Sequence, residues 1–213
     1  MTVYNDGLSE YTQELFAHED EILRQIRERS AARGLPPISV KPEEGRFLQF
    51  LAAASGASSA LEIGTLGGYS GTWICRGLPA NSRLITLELE PEHAVLAREH
   101  FAMAGLTDRV EVRVGDAHEL LGAIGDEVLF GLIFIDAEKA GYSAYLDWAL
   151  PHLARGGIVA AHNAFRRGSV IDPVDRDPDA LALRRFNLQL AAAPGLISTI
   201  FPAGDGTAVG VKG

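Results

Sequence analysis

The sequence predicts a doubly wound α/β fold, a mostly parallel sheet with helices on both faces that ends in an antiparallel hairpin. Three observations carry this reading. Short β-rich runs alternate with helical stretches through the middle of the chain, a glycine-rich turn follows the first run, and Gly204-Asp205-Gly206 separates the last two. Strands that alternate with helices pair in parallel through right-handed crossovers, whereas a Gly-Asp-Gly turn between two short runs closes a hairpin.

The elements follow in order. Residues 8–29 carry Leu15, Ile22, Leu23 and Ile26 among charges, the spacing of one amphipathic helix. Gly34 and three prolines within 32–42 break it, and a second helix is expected over 43–55. Strands are expected at 59–64, 83–88, 109–114, 129–135 and 157–161, with helices at 70–77, 91–104, 117–124 and 142–150 between them. A polar loop over 166–179, a helix to about residue 192 and strands at 197–201 and 207–211 complete a seven-stranded sheet. No internal repeat interrupts the pattern.

At 213 residues and 47% hydrophobic content, the chain suits one domain over residues 1–213, with 1–40 as an N-terminal helical extension. Its 19 Lys+Arg against 28 Asp+Glu give a net charge of −9, which opposes attraction to nucleic acid or to an anionic membrane surface. The single cysteine, Cys75, excludes an intrachain disulfide and fits a reducing compartment. No basic start followed by an apolar run marks a secretory signal, and no apolar stretch approaches the ~20 residues of a membrane span. A cytoplasmic protein is the expectation.

A ligand site is expected at the turn Glu62-Ile63-Gly64-Thr65-Leu66-Gly67-Gly68-Tyr69-Ser70, because its glycines let backbone and ligand approach at the carboxyl end of the sheet. The spacing G-x-x-G-G departs from the G-x-G-x-x-G of dinucleotide sites, and Glu62 precedes it. A carboxylate there repels a pyrophosphate but favours the ammonium and sulfonium groups of S-adenosylmethionine. A nicotinamide-dependent oxidoreductase is therefore the weaker alternative. Glu88, 24 positions after Gly64, stands where an acid accepts ribose hydroxyls. Asp116, in Gly115-Asp116-Ala117, can accept from the amine of adenine. Each acid alone reads equally well as a helix cap or a solvated loop residue; together at successive strand ends they favour a ligand.

These residues resemble a known family. The motifs are Leu61-Glu62-Ile63-Gly64-Thr65 with Gly68-Tyr69-Ser70, Ala104-Gly105-Leu106, Gly115-Asp116-Ala117, Phe134-Ile135-Asp136-Ala137-Glu138-Lys139 and Pro202-Ala203-Gly204-Asp205-Gly206. From about residue 41 to 212 the chain is similar to the cation-dependent small-molecule O-methyltransferases, which include catechol and caffeoyl-CoA O-methyltransferases. The resemblance implies a Rossmann-like class I methyltransferase fold with S-adenosylmethionine as donor. It makes Val40, Glu62, Gly64, Tyr69 and Ser70 contacts of the donor's methionine portion, Glu88 the ribose contact, and Asp116 with Ala117 the adenine contacts. It further implies a small hydroxyl acceptor, Lys139 as general base, and a homodimer in which residues 1–40 form a lid or a dimer element.

One departure stands out. In the family an aspartate matching Asp136 and an Asp-Asn pair hold a divalent cation, Mg or Mn; here the pair is His162-Asn163, 26 positions beyond Asp136. Magnesium prefers oxygen ligands, so three readings stay open: Asp136, His162 and Asn163 hold a metal that accepts nitrogen; the metal is lost and His162 serves as base; or His162 is structural. A donor-binding protein with lost or altered catalysis is the corresponding alternative function. For the acceptor, Arg166 and Arg167 suit an anionic group or are merely solvated. Tyr142, Phe165 and Trp148 are aromatic candidates for its pocket, with Trp148 better placed in the core.

Overall fold

The computed structural model describes residues 4–213. Helices α1 (Asp6–Phe16), α2 (Glu21–Ala32) and α3 (Pro42–Ser55) precede strand β1 (Ser59–Ile63). There follow α4 (Tyr69–Gly77), β2 (Arg83–Glu88), α5 (Pro91–Met103), β3 (Val110–Val114), α6 (Ala117–Gly122), β4 (Phe130–Ile135), α7 (Tyr142–His152) and β5 (Leu153–Ala161). Helix α8 (Pro178–Ala192), β6 (Leu196–Phe201) and β7 (Thr207–Lys212) close the chain. The expected alternation and the terminal hairpin are both present.

The seven strands lie in the order β3-β2-β1-β4-β5-β7-β6. Strands β1 to β5 are parallel, while β7 runs antiparallel to β5 and β6. Order reverses between β1 and β4, and such a switch point opens a crevice at the carboxyl ends of the strands. The register sets Ile63 beside Leu87 and Ile135, and Ile135 beside Ala161, so these strand ends are level. Strand β4, Phe-Gly-Leu-Ile-Phe-Ile, is buried throughout, as a parallel strand covered on both faces must be.

Alternate residues of the strands feed two cores. On one face Ala60, Leu84, Leu132 and Phe134 pack with Leu23, Leu48, Trp73 and Phe101. On the other, Leu61, Ile63, Ile133 and Ile135 pack with Leu121, Tyr145, Leu183 and Phe186. Among the described residues no helix is long and apolar enough to cross a membrane.

Three expectations need correction. The single helix over 8–29 is two helices, because Asp20 turns its side chain to the backbone N–H of Leu23 (3.0 Å) and caps a new start. Leu15 is consequently 56% exposed, whereas Leu23 and Ile26 are fully buried. Strand β5 begins at Leu153, four residues before the expected 157, with a register shift opposite Phe130–Leu132; its Ala-Arg-Gly-Gly start lacks apolar alternation. The loop 166–179 contains two short 3-10 turns within Arg166–Ile171, broken by the left-handed Arg167 and Gly168, and the Arg184 guanidinium pins it by donating to the carbonyls of Ser169, Val170 and Asp175.

Candidate active site

A cavity of about 910 Å³ opens at the carboxyl ends of the strands, a volume suited to a nucleoside-sized ligand plus a small partner. Residues 36–41, the turn after β1 and the ends of β2 to β5 wall it. Among the described residues, four non-glycine residues adopt a left-handed backbone, namely Leu66, Asn163, Arg166 and Arg167. All four line this cavity. Such backbone strain concentrates where a ligand is clamped.

The turn owes its shape to Gly64. With φ +97, a Cβ there would lie 2.3 Å from the carbonyl oxygen of Asp136, so only glycine lets β1 and β4 hand over to the site this closely. Glu88 then organises the turn: one carboxylate oxygen accepts from the N–H groups of Thr65 (3.2 Å) and Leu66 (2.7 Å), the other from Glu90 (2.9 Å). Asp116 caps α6 through one oxygen, which accepts from His118 and Glu119. Its second oxygen has no such partner among the described residues, so capping leaves it unengaged.

Val40, Gly64, Tyr69, Ser70, Glu88, Asp116 and Ala117 all reach the cavity wall. Glu62 does not. Its side chain is fully buried one layer below, accepting from the hydroxyls of Ser70 (2.5 Å) and Thr86 (2.7 Å). Burial outweighs these hydrogen bonds and pushes its pKa up to about 7. Glu62 therefore sits behind Ser70 and not on the cavity wall itself.

That raised pKa has a thermodynamic consequence. Between the ordinary carboxylate range and about 7, the folded chain holds a proton that the unfolded chain has released, so stability falls as pH rises through this window. Glu62→Gln should remove this slope. Measured at pH 5 and pH 8, wild type should lose on the order of 3 kcal/mol relative to the glutamine variant. Parallel unfolding curves at both pH values would contradict the shift.

At the other end of the cavity the ionisable groups converge. Lys139 Nζ donates to Asp136 Oδ1 (3.1 Å), the carbonyl of Ala137 (3.1 Å) and the Tyr142 hydroxyl (2.7 Å), which uses all three of its protons. Asp136 Oδ2 faces His162 Nδ1 at 3.2 Å, and His162 Nε2 faces Glu44 Oε1 at 2.9 Å. Burial opposes charge on this ring, but Asp136 and Glu44 outweigh it and raise the His162 pKa to about 10. Burial likewise works against the Asp136 charge, yet His162 and Lys139 hold its pKa well below the usual carboxylate range.

Glu44 was absent from the sequence-based set. It lies 118 positions from His162, and its other oxygen accepts from the Lys41 N–H (2.8 Å) at the start of α3. The only signal was Glu43-Glu44 after Pro42, which reads as an acidic first turn. Of the aromatic candidates, Tyr142 is fully buried beneath Lys139, Phe165 packs over Gly206, and Trp148 stacks on His152. None of the three lines the cavity; Tyr145 does.

Comparison with known proteins agrees with this geometry. The O-methyltransferase family model matches residues 13–212. The chain is 40% identical to a catechol O-methyltransferase of Niastella koreensis, over 97% of this chain and 92% of that protein. It superposes with a TM-score of 0.91 on the O-methyltransferase of Bacillus cereus in complex with SAH, at 38% identity and 97% coverage of both chains. A TM-score of 0.86 relates it to TomG of Streptomyces achromogenes, an O-methyltransferase involved in tomaymycin synthesis and solved with SAM, at 33% identity and 97% and 96% coverage. The chain belongs to the O-methyltransferase family. It is an S-adenosylmethionine-dependent O-methyltransferase.

The positions at which the resemblance implies a divalent cation come together at the ends of β4 and β5. His162 faces Asp136 through Nδ1 at 3.2 Å and Glu44 through Nε2 at 2.9 Å, so a metal held by Asp136, His162 and Asn163 would displace a proton from Nδ1 while Nε2 keeps its bond to Glu44. Asn163 turns its Nδ2 to Asp205 (3.2 Å) and keeps its amide oxygen, and among the described residues no three His, Cys, Asp or Glu side chains form a metal-holding group. With one nitrogen at Asp136 and the other at Glu44, neither is directed at an acceptor, which argues against His162 as a base.

Proposed function

We propose that this enzyme methylates one hydroxyl of a small catechol-like acceptor, using donor-binding residues at the β1–β3 ends and proton-handling residues at the β4–β5 ends. The observation that carries the reading is that Glu88 and Asp116 share one cavity with Lys139, Asp136 and His162. Among relatives, two proteins at 40% and 41% identity are named catechol O-methyltransferase.

When bound, the donor supplies an electrophilic methyl group on a positively charged sulfur. Glu88 accepts the ribose hydroxyls, Asp116 the adenine amine, and Val40, Gly64, Tyr69 and Ser70 border the methionine portion. Lys139, once its ammonium has given up one proton to solvent, takes the proton from the acceptor hydroxyl. The phenolate oxygen then bonds to the methyl carbon as the carbon–sulfur bond breaks, and the proton remains as the Lys139 ammonium. Asp136, Ala137 and Tyr142 are placed to hold that ammonium. Holding both reactants in line supplies much of the acceleration.

Acceptor charge is a second level of choice. Arg166 is engaged by Asp177 and Asp179, whereas the Arg167 guanidinium has no hydrogen-bond or ion-pair partner among the described residues and borders the cavity. It favours an acceptor bearing a carboxylate. A panel of neutral, acidic and amine-bearing catechols and monophenols tests both levels: methylation of catechols is expected, with the acidic ones showing the lowest KM. Donor binding without transfer to any phenol would reject the reading in favour of a binding protein.

Residues 4–40 act in this account as a cover, since Tyr69 hydrogen-bonds Glu19 (2.7 Å) and residues 36–40 line the cavity. Exposed Tyr11, Leu15 and Phe16 on α1 supply an apolar face for a homodimer. Light scattering should give twice the chain mass, and a monomer after Leu15→Glu and Phe16→Glu.

A further inference from the structure

One buried histidine stands behind the donor turn and takes no part in the chemistry above. His100, in the last turn of α5, is fully buried, and its Nδ1 lies 2.8 Å from the carbonyl oxygen of Gly67. A carbonyl only accepts, so Nδ1 carries the hydrogen and donates it. Nε2 is buried with no partner among the described residues, which suits a bare nitrogen and not a charged N–H. Burial pushes the His100 pKa below its ordinary value, and Arg29 and Arg33 on α2 add to this against the Gly67 hydrogen bond and Glu99. The ring is neutral, with its one hydrogen on Nδ1.

The turn thus has two anchors. Glu88 holds its front through the N–H groups of Thr65 and Leu66; His100 holds its rear through Gly67, whose carbonyl accepts no other hydrogen bond among the described residues. Between them Leu66 keeps a left-handed φ of +49, strain that persists only where the surroundings fix it. A Cβ on Gly67 would overlap Ser30 Oγ of α2, and one on Gly68 would press on the Phe101 ring of α5. Gly68 is also the N-cap of α4, which opens with Tyr69 and Ser70. We infer that His100 is a positioning residue for the methyl donor, gripping the Gly67 carbonyl so that Tyr69 and Ser70 meet the methionine portion. This rests on reading residues 64–70 as the wall of that portion. His100 itself does not reach the cavity wall. Without its hydrogen bond the carbonyl turns to other partners, and apparent donor affinity falls by the fraction of chains that keep the receptive turn. Donor at saturation restores the turn, so kcat survives.

The test compares two variants of the full chain. His100→Leu fills the space but offers no hydrogen; His100→Asn places an amide Nδ2 near the position of Nδ1. SAH binding is measured by calorimetry, and kcat with the KM of donor and of catechol by steady-state kinetics. His100→Leu should raise SAH Kd and donor KM by about tenfold, with kcat and acceptor KM within about twofold of wild type. His100→Asn should bring donor KM back to within about threefold, although the smaller side chain leaves a void and lowers Tm. A purely structural histidine predicts the reverse order, donor KM rising with loss of Tm. Nitrogen-resolved NMR of the wild-type histidine rings should find hydrogen on His100 Nδ1 and none on Nε2 at neutral pH.

Wild-type donor binding in a folded His100→Leu chain overturns the inference, as does an equal rise of donor KM in both variants. Hydrogen on Nε2 of wild type, with Nδ1 bare, overturns it too, so a failure of either variant to fold, monitored by circular dichroism, leaves a decisive measurement. Ser70→Ala tests the underlying reading separately and should itself raise SAH Kd. If Ser70→Ala binds SAH as wild type does while His100→Leu does not, the placement of the methionine portion fails and the grip on the turn stands. If only His100→Leu is silent, the grip fails and the placement stands.

Discussion

Lys139→Ala and Asp136→Ala should each lower kcat by roughly 10²–10⁴-fold, the range associated with a positioned acid–base group. Donor affinity should stay near wild type in both, because the donor-facing carboxylates, Glu88 and Asp116, stand on other strand ends. The two variants fail for different reasons. Without Lys139 the hydroxyl proton has no acceptor at the methyl-receiving end. Without Asp136 the amine survives, but it loses the carboxylate 3.1 Å away that holds its charged form, and His162 loses the partner on its Nδ1. Removing one member of a buried charge pair leaves the others uncompensated, typically by 3–5 kcal/mol. Asp136→Ala should therefore also melt earlier, and so should Lys139→Ala, which strips Asp136 of one of its two cationic partners. Calorimetry of donor binding beside steady-state kinetics separates these effects, and near-wild-type kcat in either variant removes that residue from the mechanism.

Gly64→Ala should destabilise the chain and weaken donor binding together. An alanine at φ +97 carries strain of about 1–2 kcal/mol. Its methyl carbon would also press on the Asp136 carbonyl at 2.3 Å, and overpacking against backbone adds about 1–3 kcal/mol. Together these lower Tm by roughly 10 °C for a chain of this length. Any relaxation moves the turn whose N–H groups hold Glu88, so donor Kd should rise by at least about tenfold. Gly34→Ala is the control: φ there is +77, but a Cβ would meet nothing within 4 Å. Equal melting of the two variants would show that the close approach to β4 is unimportant.

The parts of this enzyme that were legible in the sequence are those written by local pattern. Buried parallel strands such as Phe130–Ile135 read as continuous apolar runs, and the turn after β1 announces itself by glycine spacing. What escaped depends on distances across the fold. Asp20 divides the N-terminal helix in two with a single side-chain hydrogen bond, which helical periodicity does not register. Glu62 looked like a cavity carboxylate because it adjoins the turn, but strand alternation points it inward, beneath Ser70. Motif matching identified His162 as an altered ligand position, and only its two carboxylate neighbours, one of them 118 residues away, determine its charge.

A crystal structure with SAH and a dihydroxybenzene bound together tests the account most directly. The expected result places adenine at Asp116, ribose at Glu88, and the sulfur turned towards an acceptor oxygen within hydrogen-bonding reach of Lys139. Adenine lodged elsewhere, or an acceptor seated away from Lys139 and Asp136, would contradict it.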